Sequence, residues 1–270
     1  MPAGKRKLII AAALALCVII CACMFIGRNA FTYTNLAAAA DRDFARSLLA
    51  GAGIARENTD LLLELVDGFY SVPYPGIADS GFRGGFIPFF SYSGKDAARH
   101  LDMQPDNSLT CRMAAFILLR DKIGFPDTAE RKPGLEEKDP RSRVNLTDSG
   151  ELLRYDLLFS NLEQPVRSSG GLSDAVKEYW ESSGITFPQN AGANIVTAYG
   201  STGETIQNFH AAVVICSGDE IWLLEKYDPI YPYQLSRFTG EKQLISYMKT
   251  RVSEVKYAAI FLGADCLWTK

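Results

Sequence analysis

The sequence predicts an α+β fold in which N-terminal helices are followed by a mostly antiparallel sheet. Apolar residues recur at helical spacing in the first two thirds of the chain, whereas short strand-like runs occupy the last third. Separate blocks of helices and strands are typical of α+β proteins. About 240 residues lie beyond the N-terminal segment, which is enough to bury one good core.

Five helices are expected before the sheet. The first follows Asn35 as its cap and ends at glycines. The predicted ranges are 37–50, 58–69, 96–101, 109–123 and 174–182. Residues 71–94, between the second and third helices, are rich in glycine, proline and aromatic residues, so we expect an ordered irregular loop there.

Five strands are expected in the last third of the chain. Their predicted ranges are 194–199, 209–216, 221–227, 233–238 and 257–262, with a helix over 241–252 before the last strand. Residues 126–149 are charged and contain Pro133 and Pro140, which predicts an exposed insertion. We therefore expect residues 31–270 to form a single α+β domain with this insertion.

Residues 1–27 have the features of an export signal. Three basic residues at 5–7 precede an uncharged apolar stretch over 8–26. The stretch is long enough to span a bilayer as an uncleaved anchor. The run Ile20-Cys21-Ala22-Cys23 also resembles a bacterial lipobox, in which Cys23 would be lipidated after cleavage of the signal peptide. Both alternatives attach the chain to the cell membrane, with the remainder on the extracytoplasmic face.

The exported part of the chain is mildly acidic. The whole chain has a net charge of −3, and removal of the three leader cations changes this to −6. The sequence beyond the leader contains no cluster of lysine and arginine residues. Binding to nucleic acid, or to anionic lipid through a basic patch, is therefore not expected.

Three cysteines lie beyond the leader, at positions 111, 216 and 266. An odd number of cysteines in an exported protein leaves at least one thiol unpaired. Cys216 ends one predicted strand and Cys266 lies just past the last one, so a disulfide between them would leave Cys111 free. The alternative is three reduced cysteines that act as small apolar side chains. The sequence leaves both alternatives open.

Cys111 is the candidate nucleophile. It lies about three residues after Ser108 or four after Asn107, within the first turn of the predicted helix 109–123. Free backbone N–H groups and the helix dipole at such a position favour the thiolate and lower the pKa of the thiol. The alternative is a buried structural cysteine, because the predicted helix is largely apolar.

His210 is the candidate base and is one of two histidines in the chain. Side chains alternate along a strand, so His210 shares a face of the strand 209–216 with the other even-numbered residues. With a two-residue hairpin loop, Glu225 lies directly opposite His210 if the loop is 217–218, or diagonally if it is 218–219. A three-residue loop would place Lys226 there instead.

Glu225 is the candidate orienting group. A carboxylate that holds one ring nitrogen of His210 would fix its tautomer and leave the other nitrogen to act as base. The alternative is a structural His–Glu pair without chemistry. For an oxyanion, the N–H of Cys111 supplies one donor, and Gln104 and Asn107 are the side-chain candidates.

Metal and cofactor chemistry are not expected. Neither histidine has metal-type spacing to other ligands, and the sequence contains no phosphate-binding loop and no nucleophile elbow. His100, on a charged predicted helix, is expected to be a solvated surface residue.

Several strings in this chain resemble a family of bacterial surface proteins, the domain-of-unknown-function family numbered 4300, whose members are predicted lipoproteins. The matching strings are Tyr33-Thr-Asn-Leu36, Cys111-Arg112, the run 179–188, the strand of His210, and the segments 224–226 and 232–235. This resemblance spans nearly the whole exported part and implies no established activity.

A more distant resemblance implies a specific enzymatic activity. A cysteine at a helix start, a histidine at the start of a strand and a polar residue on the next strand are similar in order to papain-like cell-wall hydrolases of the NlpC/P60 type. The segment 109–113 does not reproduce their fuller motif around the cysteine. The resemblance implies a papain-like core and a cysteine peptidase or amidase that acts on peptidoglycan or an envelope peptide. The alternative is a non-enzymatic surface lipoprotein that binds an envelope component or a protein partner.

Overall fold

The computed structural model describes residues 14–19, 27, 29–87, 89–103, 109–126, 149–189 and 192–270. An eight-stranded sheet organises these residues, and each of its neighbouring strand pairs is antiparallel. Helices cover both faces of the sheet, so the predicted α+β class with an antiparallel sheet is confirmed.

The sheet has the strand order β2-β1-β6-β5-β4-β3-β7-β8. The strands are β1 (Ala30–Thr34), β2 (Arg83–Phe86), β3 (Ala193–Ser201), β4 (Ile206–Ser217), β5 (Glu220–Lys226), β6 (Tyr233–Phe238), β7 (Tyr257–Leu262) and β8 (Asp265–Thr269). The two strands that carry His210 and Glu225, β4 and β5, therefore lie at the centre of the sheet, where both faces are covered.

The helices largely match the predicted segments. They are α1 (Ala39–Gly51), α2 (Arg56–Phe69), α3 (Gly94–Met103), α4 (Cys111–Leu119), α5 (Ser149–Phe159), α6 (Ser169–Ser182) and α7 (Glu241–Lys249), with a 3₁₀ turn over Thr250–Val252. The last predicted helix, 241–252, is thus a helix followed by this tighter turn. The helix α5 and the strand β8 were not predicted.

The predicted order of helices before strands is wrong at the N-terminus. The strand β1 precedes the helices α1 to α7 and joins the sheet beside β6, with Tyr33 opposite Ser236. The predicted loop 71–94 contains β2, which extends the sheet beyond β1. Both strands are short, so each offers too few alternating residues for a clear pattern. The predicted insertion 126–149 lies, except for its two end residues, outside the described residues.

The hydrophobic core is divided between the two faces of the sheet. On β4, Ala211, Val213 and Ile215 pack on the side of α1, α2, α4, α5 and α6. Ala212 and Val214 pack on the opposite side, against α7 and the 3₁₀ turn. Each fully buried Val, Leu or Ile side chain contributes about 1.5–3 kcal/mol, so this alternation fixes the register of the central strands.

The apolar stretch near the N-terminus is only partly covered by the described residues. None of the described helices combines the length and the apolar character needed to cross a membrane. Cys23, the predicted lipidation site, and most of the apolar stretch 8–26 lie outside the described residues.

Candidate active site

Cys111 is the first residue of α4. Thr110 is the helix cap, and its hydroxyl accepts a hydrogen bond of 3.2 Å from the backbone N–H of Met113. The prediction that Cys111 lies in the first turn is confirmed. Its backbone N–H is among the first four of the helix, which have no acceptor within the helix. The thiol and a free N–H donor are thus held at one helix end.

The hairpin between β4 and β5 places Glu225 diagonally beside His210. Ser217 pairs with Glu220, so the loop is Gly218-Asp219, the second of the predicted alternatives. Gly218 has a φ of +60°, which glycine adopts without strain. The ladder continues to the pair Val213–Leu224, and one further step places Ala212 opposite Glu225. The loops that would have put Glu225 or Lys226 directly opposite His210 are wrong.

Cys111, His210 and Glu225 lie next to one another in that order. The Nε2 atom of His210 lies 2.5 Å from Oε2 of Glu225. The ring of His210 also interacts with the thiol of Cys111, and because Nε2 is bound to Glu225, Nδ1 is the nitrogen left for the sulfur. The backbone N–H of Ala211, beyond the last pair of the β4–β5 ladder, also favours the thiolate form of Cys111. The structure thus brings the three predicted residues together.

The electrostatics of the site favour a thiolate–imidazolium pair. Burial raises the pKa of Cys111, but the charge and hydrogen bond of His210, the charge of Arg112 and the N–H of Ala211 outweigh it and lower that pKa. Burial lowers the pKa of His210, and Arg251 does the same. The thiolate of Cys111 and the hydrogen bonds to Cys111 and Glu225 outweigh these effects and raise it. Both shifts increase the population of the charged pair.

Arg251 and Tyr247 hold the carboxylate of Glu225 from the α7 side. The Nη2 atom of Arg251 donates to both carboxylate oxygens, at 3.1 and 3.0 Å. The hydroxyl of Tyr247 donates to Oε1 at 2.5 Å, and the guanidinium of Arg251 lies 3.6 Å from the ring centre of Tyr227. Although burial raises the pKa of Glu225, Arg251, His210 and Tyr247 together lower it to about 2. Glu225 is therefore ionised at neutral pH.

A second row of polar groups connects this carboxylate to the aromatic segment 71–94. Gln234 donates to the Tyr247 hydroxyl at 2.8 Å and accepts a hydrogen bond from the hydroxyl of Tyr92. Asn35 donates to the Tyr92 hydroxyl at 2.7 Å. Asn35 was predicted to cap the first helix, but that cap is Ala38 and Asn35 instead belongs to this network. The network limits the positions that Tyr247 and hence Glu225 can take.

The supporting residues were missed by the sequence analysis. Tyr247 and Arg251 are four residues apart, so they lie on one face of α7 and the turn that follows it. That spacing was visible in the sequence, but nothing local to it indicates that the face points at Glu225. The contact depends on how α7 docks on the sheet.

The predicted role of His100 is wrong, because this residue is 2% exposed. Its ring lies 4.3 Å from that of Phe69 and 5.0 Å from that of Tyr74. The charged residues of α3 cover its outer side, whereas His100 and Ala97, three positions apart, point inward. Burial and the nearby Lys226 lower the pKa of His100.

The remaining sequence predictions concern the oxyanion donors, the two other cysteines and metal binding. Gln104 and Asn107, the oxyanion candidates, lie outside the described residues. Of the two alternatives for the cysteines, the reduced one is observed: Cys216 is exposed, Cys266 is partly buried, and both are free thiols. Within the described ranges, no group of three or more histidine, cysteine or acidic side chains is arranged to hold a metal ion.

Comparison with known proteins identifies the family of the chain. No curated protein and no solved structure matches it. The family model described as "Domain of unknown function (DUF4300)" matches residues 32–258, which include Cys111, His210, Glu225 and Arg251. The chain therefore belongs to the DUF4300 family.

Proposed function

We propose that this chain is a papain-like cysteine hydrolase or transferase that acts on amide bonds of peptides in the bacterial cell envelope. The observation that carries the proposal is that the thiol of Cys111, the imidazole of His210 and the carboxylate of Glu225 lie together, with His210 bound to Glu225 and influencing the thiol. A nucleophile, a base and a group that orients the base are what covalent acyl transfer needs. Their location at a helix start and on two neighbouring strands matches the order found in the papain-like enzymes.

In the first step, the thiolate of Cys111 attacks the carbonyl carbon of the amide. The negative charge that develops on the carbonyl oxygen is stabilised by the N–H of Cys111 at the start of α4. The C–N bond then breaks, and the imidazolium of His210 gives its proton to the departing amine. The acyl group remains on sulfur as a thioester.

In the second step, His210 removes a proton from water, or from an acceptor amine, which attacks the thioester. The bond between carbon and sulfur breaks, the new acid or amide leaves, and the thiolate of Cys111 and the imidazolium of His210 are restored. Glu225 keeps Nε2 of His210 as the protonated nitrogen, so that Nδ1 faces the sulfur. Arg251 and Tyr247 keep Glu225 ionised and fixed throughout.

The proposed location is the extracytoplasmic face of the cell membrane. The basic residues at 5–7, the apolar stretch 8–26 and the lipobox-like run ending at Cys23 support export, with attachment through lipid or an N-terminal helix. An enzyme held there would meet peptidoglycan stem peptides and envelope proteins, whose amide bonds fit the proposed chemistry.

The test measures cleavage and thiol reactivity in the full-length protein in detergent. Peptidoglycan stem peptides are incubated with the protein and analysed by mass spectrometry for new amine and carboxylate ends. In parallel, the rate of iodoacetamide modification is measured at pH 6 for each cysteine peptide. We expect Cys111 to react on the order of tenfold or more faster than a thiol with an ordinary pKa of about 8.5.

Three variants give the controls. Cys111→Ser should abolish cleavage, and His210→Ala should slow both cleavage and the alkylation of Cys111. Cys216→Ser is the matched control, because it removes an exposed thiol at the opposite end of β4, and it should leave both unchanged. Slow alkylation of Cys111 that is equal in the wild type and in His210→Ala would contradict the proposal.

A non-enzymatic binding function is the second candidate, and a separate cleft favours it. This cleft of about 720 Å³ lies at the Cys216 end of β4, away from His210. Aromatic and polar side chains line it, including Trp180, Glu181, Phe187, Asn194 and Asp265. A surface lipoprotein could hold an envelope component or a protein segment in such a cleft. Equal and slow labelling of Cys111 in the experiment above would favour this function.

A further inference from the structure

Arg112, the residue after Cys111, is a partly buried cation at the candidate active site. Its Nη1 atom donates a long hydrogen bond of 3.3 Å to the backbone carbonyl of Asn208, two residues before His210. Its Nε atom is buried and has no hydrogen-bond partner in the described part of the chain. The same described residues provide no acidic side chain in a salt bridge with Arg112, whereas Arg120, at the other end of the helix, is paired with Glu151.

Further buried polar groups without partners lie on β3 and β4. Asn208 is 5% exposed, and its Nδ2 and Oδ1 atoms have no hydrogen-bond partner among the described residues, although the amide lies beside the hydroxyl of Tyr199. Thr197, which is opposite Ala211, is 1% exposed and its hydroxyl also has no partner there. Buried polar groups without partners are few in proteins, so the unpartnered amide of Asn208, whose carbonyl Arg112 contacts, calls for an explanation.

The charges around Cys111 do not balance when Arg112 is included. In the charged form, the thiolate of Cys111 balances the imidazolium of His210, and Glu225 balances Arg251. The guanidinium of Arg112 is left as an uncompensated positive charge beside the sulfur. A partly buried cation is costly unless an anion pairs with it, and guanidinium binds carboxylate with two parallel hydrogen bonds.

We propose that Arg112 and Asn208 form a subsite for a carboxylate group of the substrate. This inference rests on the proposed function and narrows its substrate class. The amide that Cys111 attacks would belong to a molecule with a free carboxylate within a few bonds of the reacting carbonyl, such as a peptide cleaved close to its C-terminus or beside an acidic residue. The amide of Asn208 would donate to the same carboxylate and thereby gain its missing partner.

Two alkylating reagents that differ in charge test this subsite directly. Iodoacetate and iodoacetamide react in the same way: the thiolate sulfur forms a bond to carbon and iodide leaves. Only iodoacetate carries a carboxylate next to the reacting carbon. The measured quantity is the ratio of their rates at Cys111, obtained by mass spectrometry of its peptide from the full-length protein in detergent. A small free thiol in the same buffer gives the reference ratio.

The rate with iodoacetate divided by the rate with iodoacetamide should be higher for Cys111 in the wild type than for the free thiol. This ratio should fall about tenfold in Arg112→Gln, because one charge-assisted contact to the carboxylate is lost. The ratio should be unchanged in Arg237→Gln, which removes an exposed arginine that pairs with Glu220. It should also fall at 1 M salt, where the Debye length is about 3 Å. Loss of the Arg112 charge also raises the pKa of Cys111 and so slows both reagents, but this effect is common to both rates and cancels in their ratio.

A competition experiment on the wild-type protein covers the case in which Arg112→Gln does not fold. Propionate should slow the reaction of Cys111 with iodoacetamide, whereas the isosteric neutral propionamide should not. Rapid alkylation of Cys111 with the same reagent ratio in the wild type and Arg112→Gln, or equal effects of the two competitors, would overturn the subsite. Failure of Cys111 to react with either reagent would instead count against the proposed function.

Discussion

Glu225 and Lys226 are neighbours on β5, yet they are buried in opposite ways on the two faces of the sheet. The carboxylate of Glu225 faces α7 and receives hydrogen bonds from His210, Tyr247 and Arg251. The ammonium of Lys226 faces the other side, where it lies 3.4 Å from the ring centre of Phe69 and donates to the carbonyl of Tyr231. Both residues are at most 1% exposed.

The two histidines differ in the same way as Glu225 and Lys226, because each lies near one of them. His210 accompanies Glu225, and its neighbours raise its pKa. His100 lies near Lys226 among aromatic rings, and burial lowers its pKa. Burial is the same for both histidines, at 2% exposure. The partners therefore decide whether a buried histidine is held charged and ready for proton transfer or held neutral as part of the core.

Glu225→Ala is expected to have the largest effect, because it removes the carboxylate that binds both His210 and Arg251. The variant leaves Arg251 buried without its carboxylate and His210 without its partner. Loss of one member of a buried ion pair costs about 3–5 kcal/mol of the free energy of unfolding. Urea unfolding of the full-length protein in detergent, followed by near-ultraviolet circular dichroism, measures the loss.

Glu220→Ala is the matched control for this experiment. Glu220 begins the same strand, but its pair with Arg237 is exposed, and such pairs contribute about 0–1 kcal/mol. Equal losses for the two variants would mean that Glu225 is not held in the buried network described above.

Lys226→Met should have a smaller effect of the opposite sign. A buried ammonium with a single carbonyl partner opposes folding, and burial holds the pKa of Lys226 well below its usual range. An apolar side chain of similar length should raise the free energy of unfolding by about 1–2 kcal/mol at pH 7, at the lower end of the gains seen when buried charges are replaced. The same unfolding experiment measures the gain.

The gain should shrink as the pH rises from 7 towards 10. The unfolded wild-type chain binds the lysine proton more tightly than the folded chain, so folding becomes more favourable as that proton is lost from the unfolded state. The methionine variant has no such group. Lys242→Met, at an exposed position on α7, should stay within about 0.5 kcal/mol of the wild type at each pH. A loss of stability in Lys226→Met would show that the contacts of the ammonium outweigh its burial.

The sequence predicted the surroundings of Glu225 and His210 far better than those of Lys226 and His100. Hairpin geometry limits the partners of His210 to a few residues, and helix-start signals place Cys111, because both depend on residues close together in the chain. Arg251 and Tyr247 reach Glu225 only through the docking of α7, and β1 reaches β6 across about two hundred residues. The burial of His100 was not predicted, because the charged residues of α3 obscure the pattern that would show which face of this helix is buried.

The protonation of the two histidines tests the comparison without altering a contact. His210 should titrate above the ordinary value of 6.5 and His100 below it, so near pH 6.5 the first is mostly charged and the second mostly neutral. Accordingly, His210 stabilises the fold below pH 6.5 and loses that contribution as the pH rises through its folded pKa, whereas the cost of charging His100 disappears as the pH rises. Selective ¹³C-histidine labelling gives two ring signals, and His100→Gln assigns them. If both signals titrated below 6.5, the thiolate–imidazolium pair would be absent and Cys111 would be a buried thiol beside a neutral ring.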